Sequence, residues 1–127
     1  MQQLKIETVR ISEKDKTCLL MLKRKTGIAN WNVLCRWAFC LSLSDSSVPP
    51  IEKVQSDSSI EMSWKIFAGQ HAEVYFALLV QRCKKDGLKL SANILNEQFK
   101  LHIHRGIAFL ANNPRLTSIS KLFQNLN

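Results

Sequence analysis

The chain has 127 residues, of which 46% are apolar and 22% are charged, and its formal net charge is +8. This composition excludes a disordered tail, and the length predicts a single folded domain over residues 1–127. The apolar runs fall short of the roughly 18 residues that cross a bilayer, and the N-terminus does not read as a secretory signal, so we expect a cytoplasmic protein without a membrane-spanning segment.

The positive charge is concentrated in two blocks of the sequence. Residues 1–40 contain eight cations and three anions (+5), and residues 82–127 contain eight and two (+6). Residues 41–81 contain two cations and five anions (−3). This separation is expected if one face of the protein meets phosphate groups. The alternative is a basic surface that serves solubility alone.

The first half of the chain predicts a strand followed by two helices. Alternating side chains predict a short strand within residues 3–11. Ser12, with Asp15 three residues later, predicts a capped helix from Glu13 to about Lys25. A glycine at position 27 is suited to ending that helix, and Asn30 is the expected cap of the second helix.

The second half predicts further helices. The stretch 42–59 is rich in serine, proline and acids, which predicts a loop. We expect a third helix over roughly 60–85 and a fourth that Ser91 caps and that Asn112-Asn113-Pro114 ends. A short helix near 117–125 is expected to close the fold. The fold class is therefore mainly α, a compact helical domain with a short N-terminal strand.

The predicted N-terminal strand requires a partner. A lone strand leaves its backbone groups unsatisfied. Because the sequence shows no obvious second strand, the same strand of another subunit is the expected partner. The pattern therefore predicts an oligomer.

Lys23, Arg24 and Lys25 form the strongest functional pattern. They occupy the last turn of the predicted first helix, where cations also interact favourably with the helix dipole. The start of the next helix offers free N–H groups that attract anions. Arg36 lies on that second helix within plausible reach. We therefore expect a phosphate-binding site here, and nucleic acid as the partner.

A second group of cations surrounds the predicted turn at Gly87. Lys84, Lys85 and Lys89 are candidates for DNA contact, with solvated turn lysines as the alternative. Lys14 and Lys16 are spread over the first predicted helix.

Catalysis and metal binding are poorly supported by the sequence. The four cysteines (Cys18, Cys35, Cys40 and Cys83) fall in apolar helical stretches and are expected to be buried free thiols. His71 and His102 fit apolar helical stripes, which favours interior positions. The three tryptophans also lie at core-like helical positions. We expect no cofactor, no metal and no enzymatic activity.

Three segments together resemble a known family. They are LKRKTGIANWNVLCRWAFCLSL, FAGQHAEVYFALLVQRCKKDG and HIHRGIAFLA, and the resemblance extends from about Leu4 to Phe123. The family is DndE, the DNA sulfur modification protein of bacterial DNA phosphorothioation (restriction-modification) systems. The strand-helix-helix start is also similar to ribbon-helix-helix DNA binders.

The resemblance implies a small helical protein that binds duplex DNA as a tetramer, with a preference for nicked sites. It implies a cysteine desulfurase, an iron–sulfur adenylating enzyme and an ATPase as partners. The family's basic surface maps onto Lys14, Lys16, Lys23, Arg24 and Lys25, and the resemblance places Gly27 in subunit packing.

The expected function is that of a non-catalytic DNA-binding subunit. An alternative is a scaffold protein that docks the sulfur-transfer and ATPase partners. A nicking or ligating enzyme is disfavoured, because the sequence offers neither a metal-binding carboxylate set nor a convincing nucleophile.

Overall fold

The computed structural model describes residue 6, residues 8–55 and residues 58–112, and it confirms a mainly helical domain with a short strand near the N-terminus. The short helix expected near 117–125 lies outside the described residues. The elements, in chain order, are β1 (Thr8–Arg10), α1 (Glu13–Thr26), α2 (Trp31–Ser44), β2 (Glu61–Ser63), α3 (Trp64–Ala68), a 3₁₀ turn (Gly69–His71), α4 (Ala72–Lys85) and α5 (Ala92–Ala111).

Local capping residues set the helix ends as the sequence predicts. The Ser12 hydroxyl accepts a hydrogen bond from the Asp15 N–H at 3.0 Å and starts α1. Gly27 ends α1 in the left-handed region at φ 74°, and its N–H donates to the Lys23 carbonyl. Ser91 caps α5 by accepting from the Ile94 N–H. These ends are therefore fixed by contacts within a few residues.

The prediction of one long third helix is wrong. Residues 61–63 form β2, which pairs antiparallel with β1 so that Val9 lies opposite Met62. The Ser63 hydroxyl then caps the short helix α3, and Gly69 at φ 58° separates α3 from α4. The partner of β1 therefore lies in the same chain, so the strand of another subunit is not needed and β1 gives no reason to expect an oligomer.

The core is built where α2 packs along α5. Phe39 of α2, Phe67 of α3 and Phe99 of α5 are fully or almost fully buried, and the Phe67 and Phe99 ring centroids are 4.8 Å apart in an edge-on arrangement. Such pairs contribute about 0.5–1.5 kcal/mol beyond their burial. The three tryptophans are half-buried and pack against this core, as predicted.

Contacts across the core fix the direction of the helices. Ser42 near the end of α2 contacts His102, while Ala38, one turn earlier, lies against Gly106. The two helices are therefore antiparallel. In the described part of the chain, no helix has both the length and the apolar character of a membrane span.

The crossing at Gly106 leaves no room for a side chain. A Cβ atom there would stand 1.8 Å from the Ala38 carbonyl oxygen, which belongs to the backbone and cannot rotate away. We expect Gly106→Ala to lower the free energy of unfolding by about 3 kcal/mol or more, or to prevent folding. Urea denaturation and soluble yield measure the effect.

Gly87→Ala is the matched control for this substitution. Gly87 has φ 76°, but a Cβ there meets no described atom within 4 Å. Gly87→Ala should therefore lower the free energy of unfolding only through backbone strain, by about 1–2 kcal/mol. Equal stability of the two variants would contradict the close approach of α2 and α5.

Candidate nucleic-acid interface

The predicted cation cluster occupies the last turn of α1. Arg24 and Lys25 are exposed, whereas Lys23 is half-buried. The Lys23 ammonium nitrogen lies 4.2 Å from the ring centroid of Trp31, which is the first residue of α2. This cation–π contact places the end of α1 directly beside the start of α2.

The first N–H groups of α2 are the groups that the sequence predicts to bind an anion. Asn30 is the N-cap residue with an extended backbone, but its side chain makes no capping hydrogen bond within the described residues. The first N–H groups of a helix carry a partial positive charge. Together with Lys23, Arg24 and Lys25, this first turn forms a positively charged surface that we call the α1–α2 corner.

Lys14 and Lys16 lie at the other end of α1. Lys23 is nine positions after Lys14, which corresponds to about 14 Å along a helix axis. Lys14 is exposed, while the Lys16 ammonium donates to the Ser59 hydroxyl at 2.8 Å. These two lysines are therefore a separate group and not part of the α1–α2 corner.

Arg36 lies on the second turn of α2 and is half-buried. Its Nε donates to the Asn32 carbonyl at 3.3 Å, and its guanidinium lies next to Gly69. Arg36 thus faces the junction between α3 and α4.

Lys84 and Lys85 lie at the opposite end of α2 from the α1–α2 corner. They end α4, and Arg82 in the same turn donates to the Leu43 carbonyl at 2.9 Å. Because α2 has 14 residues, its two ends are about 20 Å apart. One phosphate group therefore cannot contact both lysine clusters.

The cysteine and histidine predictions are corrected in part. Cys35 and Cys83 are buried, and burial raises the pKa of Cys35 to about 12 and that of Cys83 to about 11, so both thiols stay protonated at neutral pH. Cys40 is exposed on the outer side of α2, and Cys18 is half-buried. His71 is exposed at the end of the 3₁₀ turn, where the helix predicted to bury it is interrupted.

The sequence patterns did not predict a cluster of one histidine and two carboxylates. His104 of α5 lies with Nδ1 2.6 Å from an Asp15 carboxylate oxygen and Nε2 2.9 Å from a Glu52 carboxylate oxygen. Asp15 is 89 residues from His104 in sequence. A local sequence pattern therefore could not reveal this pair. The spacing from Ser12 identified Asp15 only as part of the cap of α1.

The family model for DndE, described as DNA sulphur modification protein DndE, matches residues 8–118. The crystal structure of DndE from Escherichia coli B7A involved in DNA phosphorothioation modification is similar, with a TM-score of 0.69 and 22% identity over 86% of this chain and 99% of that chain. The crystal structure of a glycine-to-lysine double mutant of DndE has a TM-score of 0.67 and 20% identity, over 86% of this chain and 100% of that chain. None of the curated proteins matches the sequence.

His102 is buried in the core, as predicted, and its environment gives a pH-dependent stability. Its Nδ1 is 2.8 Å from the Ser42 hydroxyl. Burial, and then the positive charges of Arg82 and Arg105, lower the pKa of His102 to about 4. The unfolded chain therefore binds a proton at this position near pH 6.5, where the folded chain does not.

We expect His102 to make the folded state less stable as the pH falls from about 6.5 towards 4, by about 3 kcal/mol in total. His102→Asn keeps a polar atom near Ser42 but does not titrate. It should be less stable at neutral pH and lose less stability over the same range. Denaturant titrations at several pH values measure the difference; parallel pH curves for variant and parent would contradict the assignment.

Proposed function

Because this chain belongs to the DndE family of DNA sulphur modification proteins, we propose that it is a non-catalytic subunit of DNA phosphorothioation that binds the backbone of duplex DNA and prefers nicked duplexes. The observation that supports this proposal most is the α1–α2 corner. There, the last turn of α1 carries three consecutive cations, and one of them, Lys23, stacks on Trp31 at the start of α2. In the described residues the Asn30 side chain makes no capping hydrogen bond to the first N–H groups of α2.

The corner suits a phosphate group better than a base edge. Lysine and arginine side chains combined with helix N–H groups provide sequence-independent contacts to phosphate oxygens. A nick adds backbone flexibility and a terminal charge without adding base information. A protein that binds through such contacts is therefore expected to favour a nicked duplex over the intact one.

The proposal includes an assembly. Gly27 ends α1 within the α1–α2 corner, so a subunit contact at this turn would bring the cations of several chains together in a tetramer. Partner proteins of the phosphorothioation system (the cysteine desulfurase, the iron–sulfur adenylating enzyme and the ATPase) would then carry the chemistry. Light scattering measures the oligomer, and nicking of supercoiled plasmid in Mg²⁺ or Mn²⁺ by the purified protein would contradict the non-catalytic role.

We expect Arg24→Ala combined with Lys25→Ala to weaken binding to a nicked duplex at low salt. Each lost phosphate contact should reduce the slope of log affinity against log salt by about 0.9, so the double variant should reduce it by up to about 2. Lys23 is left unchanged because its contact with Trp31 links it to stability. Fluorescence anisotropy over a series of salt concentrations measures the slope.

Lys53→Ala combined with Lys100→Ala is the matched control. This pair also removes two positive charges, and both lysines line one cavity beside α5. Glu52 also lines this cavity and contacts the side chain of His104. His104 in turn contacts Asp15 in the first turn of α1, which is the end of α1 opposite the α1–α2 corner. If both double variants lower affinity and slope equally, binding depends on net charge and the corner is not the site.

A scaffold function is the second candidate, and exposed aliphatic side chains favour it. Ile51 is 86% exposed, and Val48, Ile66 and Val74 are each more than half exposed. Exposed apolar side chains that form a contiguous patch are typical of surfaces that bind other proteins, whereas single ones occur on any surface. Capture of the purified phosphorothioation partners after nuclease treatment, and loss of that capture in Ile51→Asp with DNA affinity unchanged, would support this role.

A further inference from the structure

We propose that His104 is a proton-dependent latch that fastens the segment Ile51–Gln55 to α1 and α5. This inference concerns a region away from the α1–α2 corner and goes beyond DNA binding. It rests on the contacts of a single imidazole ring with two carboxylates that come from different parts of the chain.

The two carboxylates differ in their freedom to move. Asp15 is buried, with a side-chain exposure of 6%, and it is fixed in the first turn of α1. The Glu52 side chain is 49% exposed and belongs to a segment without helix or strand structure. His104 lies between them on α5 with a side-chain exposure of 19%. Glu52 is therefore the partner that is able to leave.

Two hydrogen bonds at His104 require a proton on each ring nitrogen. A carboxylate accepts hydrogen bonds and cannot donate them, so each contact needs an N–H from the ring. The imidazolium has two such groups, whereas the neutral ring has one N–H and one lone pair. After loss of one proton, a lone pair would face a carboxylate oxygen at less than 3 Å, which is repulsive.

Other charged groups lie near the His104 ring, in addition to the two carboxylates that contact it. Lys14 from α1 and Lys53 from the segment line a cavity of about 260 Å³ together with His104 and Glu52. Glu97 and Lys100, earlier on α5, line a neighbouring cavity of about 370 Å³ that shares Glu52 and Lys53. The Arg105 guanidinium is directed to Ser42 and Ser47 instead. Residues of the segment Ile51–Gln55 thus line both cavities.

The sign of the pH effect follows from the proton that the latch needs. The latch is closed where His104 is an imidazolium, and it opens as the pH rises and the ring becomes neutral. Opening is linked to release of one proton, so the ratio of closed to open molecules should fall by up to about tenfold per pH unit.

Nuclear magnetic resonance on the whole chain tests the latch with two readouts. Imidazole ¹⁵N shifts report the protonation of His104, and backbone amide order parameters of Glu52 and Lys53 report the order of the segment. We expect two protonated nitrogens and an ordered segment at the acidic end of the titration, with both changing together as the pH rises. A neutral ring with an ordered segment, or an ordered segment throughout the titration, would overturn the proposal.

Glu52→Gln and Glu97→Gln form the matched pair of variants. An amide at position 52 can accept from an N–H or donate to a lone pair, so the segment should stay ordered whether His104 is charged or neutral. Glu97 lines the neighbouring cavity and is exposed, so its amide variant should keep the pH dependence of the parent. A pH dependence that survives unchanged in Glu52→Gln would also overturn the latch.

Discussion

The rest of the fold depends on two buried arginines that satisfy the carbonyl groups at the end of α2. Arg105 donates to the Ser42 carbonyl at 2.7 Å, Arg82 donates to the Leu43 carbonyl, and both donate to the Ser47 carbonyl. A helix end otherwise leaves its last carbonyls without partners, and its negative dipole favours cations. Burial lowers the pKa of Arg105, and Asp86 balances Arg82 through a salt bridge at 3.0 Å. These two side chains therefore join α2, α4, α5 and the start of the 45–55 segment at one point.

This junction determines where the other charged groups lie. Because Arg82 holds the end of α4 against the end of α2, Lys84 and Lys85 are directed away from the α1–α2 corner. The same junction fixes Ser47, and His104 fixes Glu52 a few residues later. The exposed segment between them, which includes Ile51, is thus held at both ends. The buried arginine network and His104 thus position the segment on which the latch depends.

Sequence patterns predicted the parts of the fold that are set by neighbouring residues. Ser12, Gly27 and Ser91 act within three or four positions of the backbone groups that they satisfy, so their roles could be read from spacing. β2 was missed because three residues become a strand here by pairing with β1, about fifty positions earlier. The same limit applies to His104 with Asp15 and to Arg82 with Leu43, whose partners are set by tertiary packing. The α1–α2 corner was predictable because both of its elements are consecutive in sequence.

The net charge of each block of the sequence differs from the charge that its exposed side chains can bring to a phosphate group. Residues 82–127 contribute +6, but the guanidinium groups of Arg82 and Arg105 are buried in hydrogen bonds to main-chain carbonyls. They add to the long-range potential, yet they cannot contact a phosphate group without dismantling the end of α2. In residues 1–40, by contrast, Lys14, Arg24 and Lys25 are exposed on one helix. Contacts with phosphate depend on side chains that can reach the backbone of DNA, and affinity follows the number of phosphates neutralised. In residues 82–112, Lys84, Lys85 and Lys89 are exposed around the turn at Gly87. The charge that can reach a phosphate group in the C-terminal block is therefore smaller than its sum of +6 indicates.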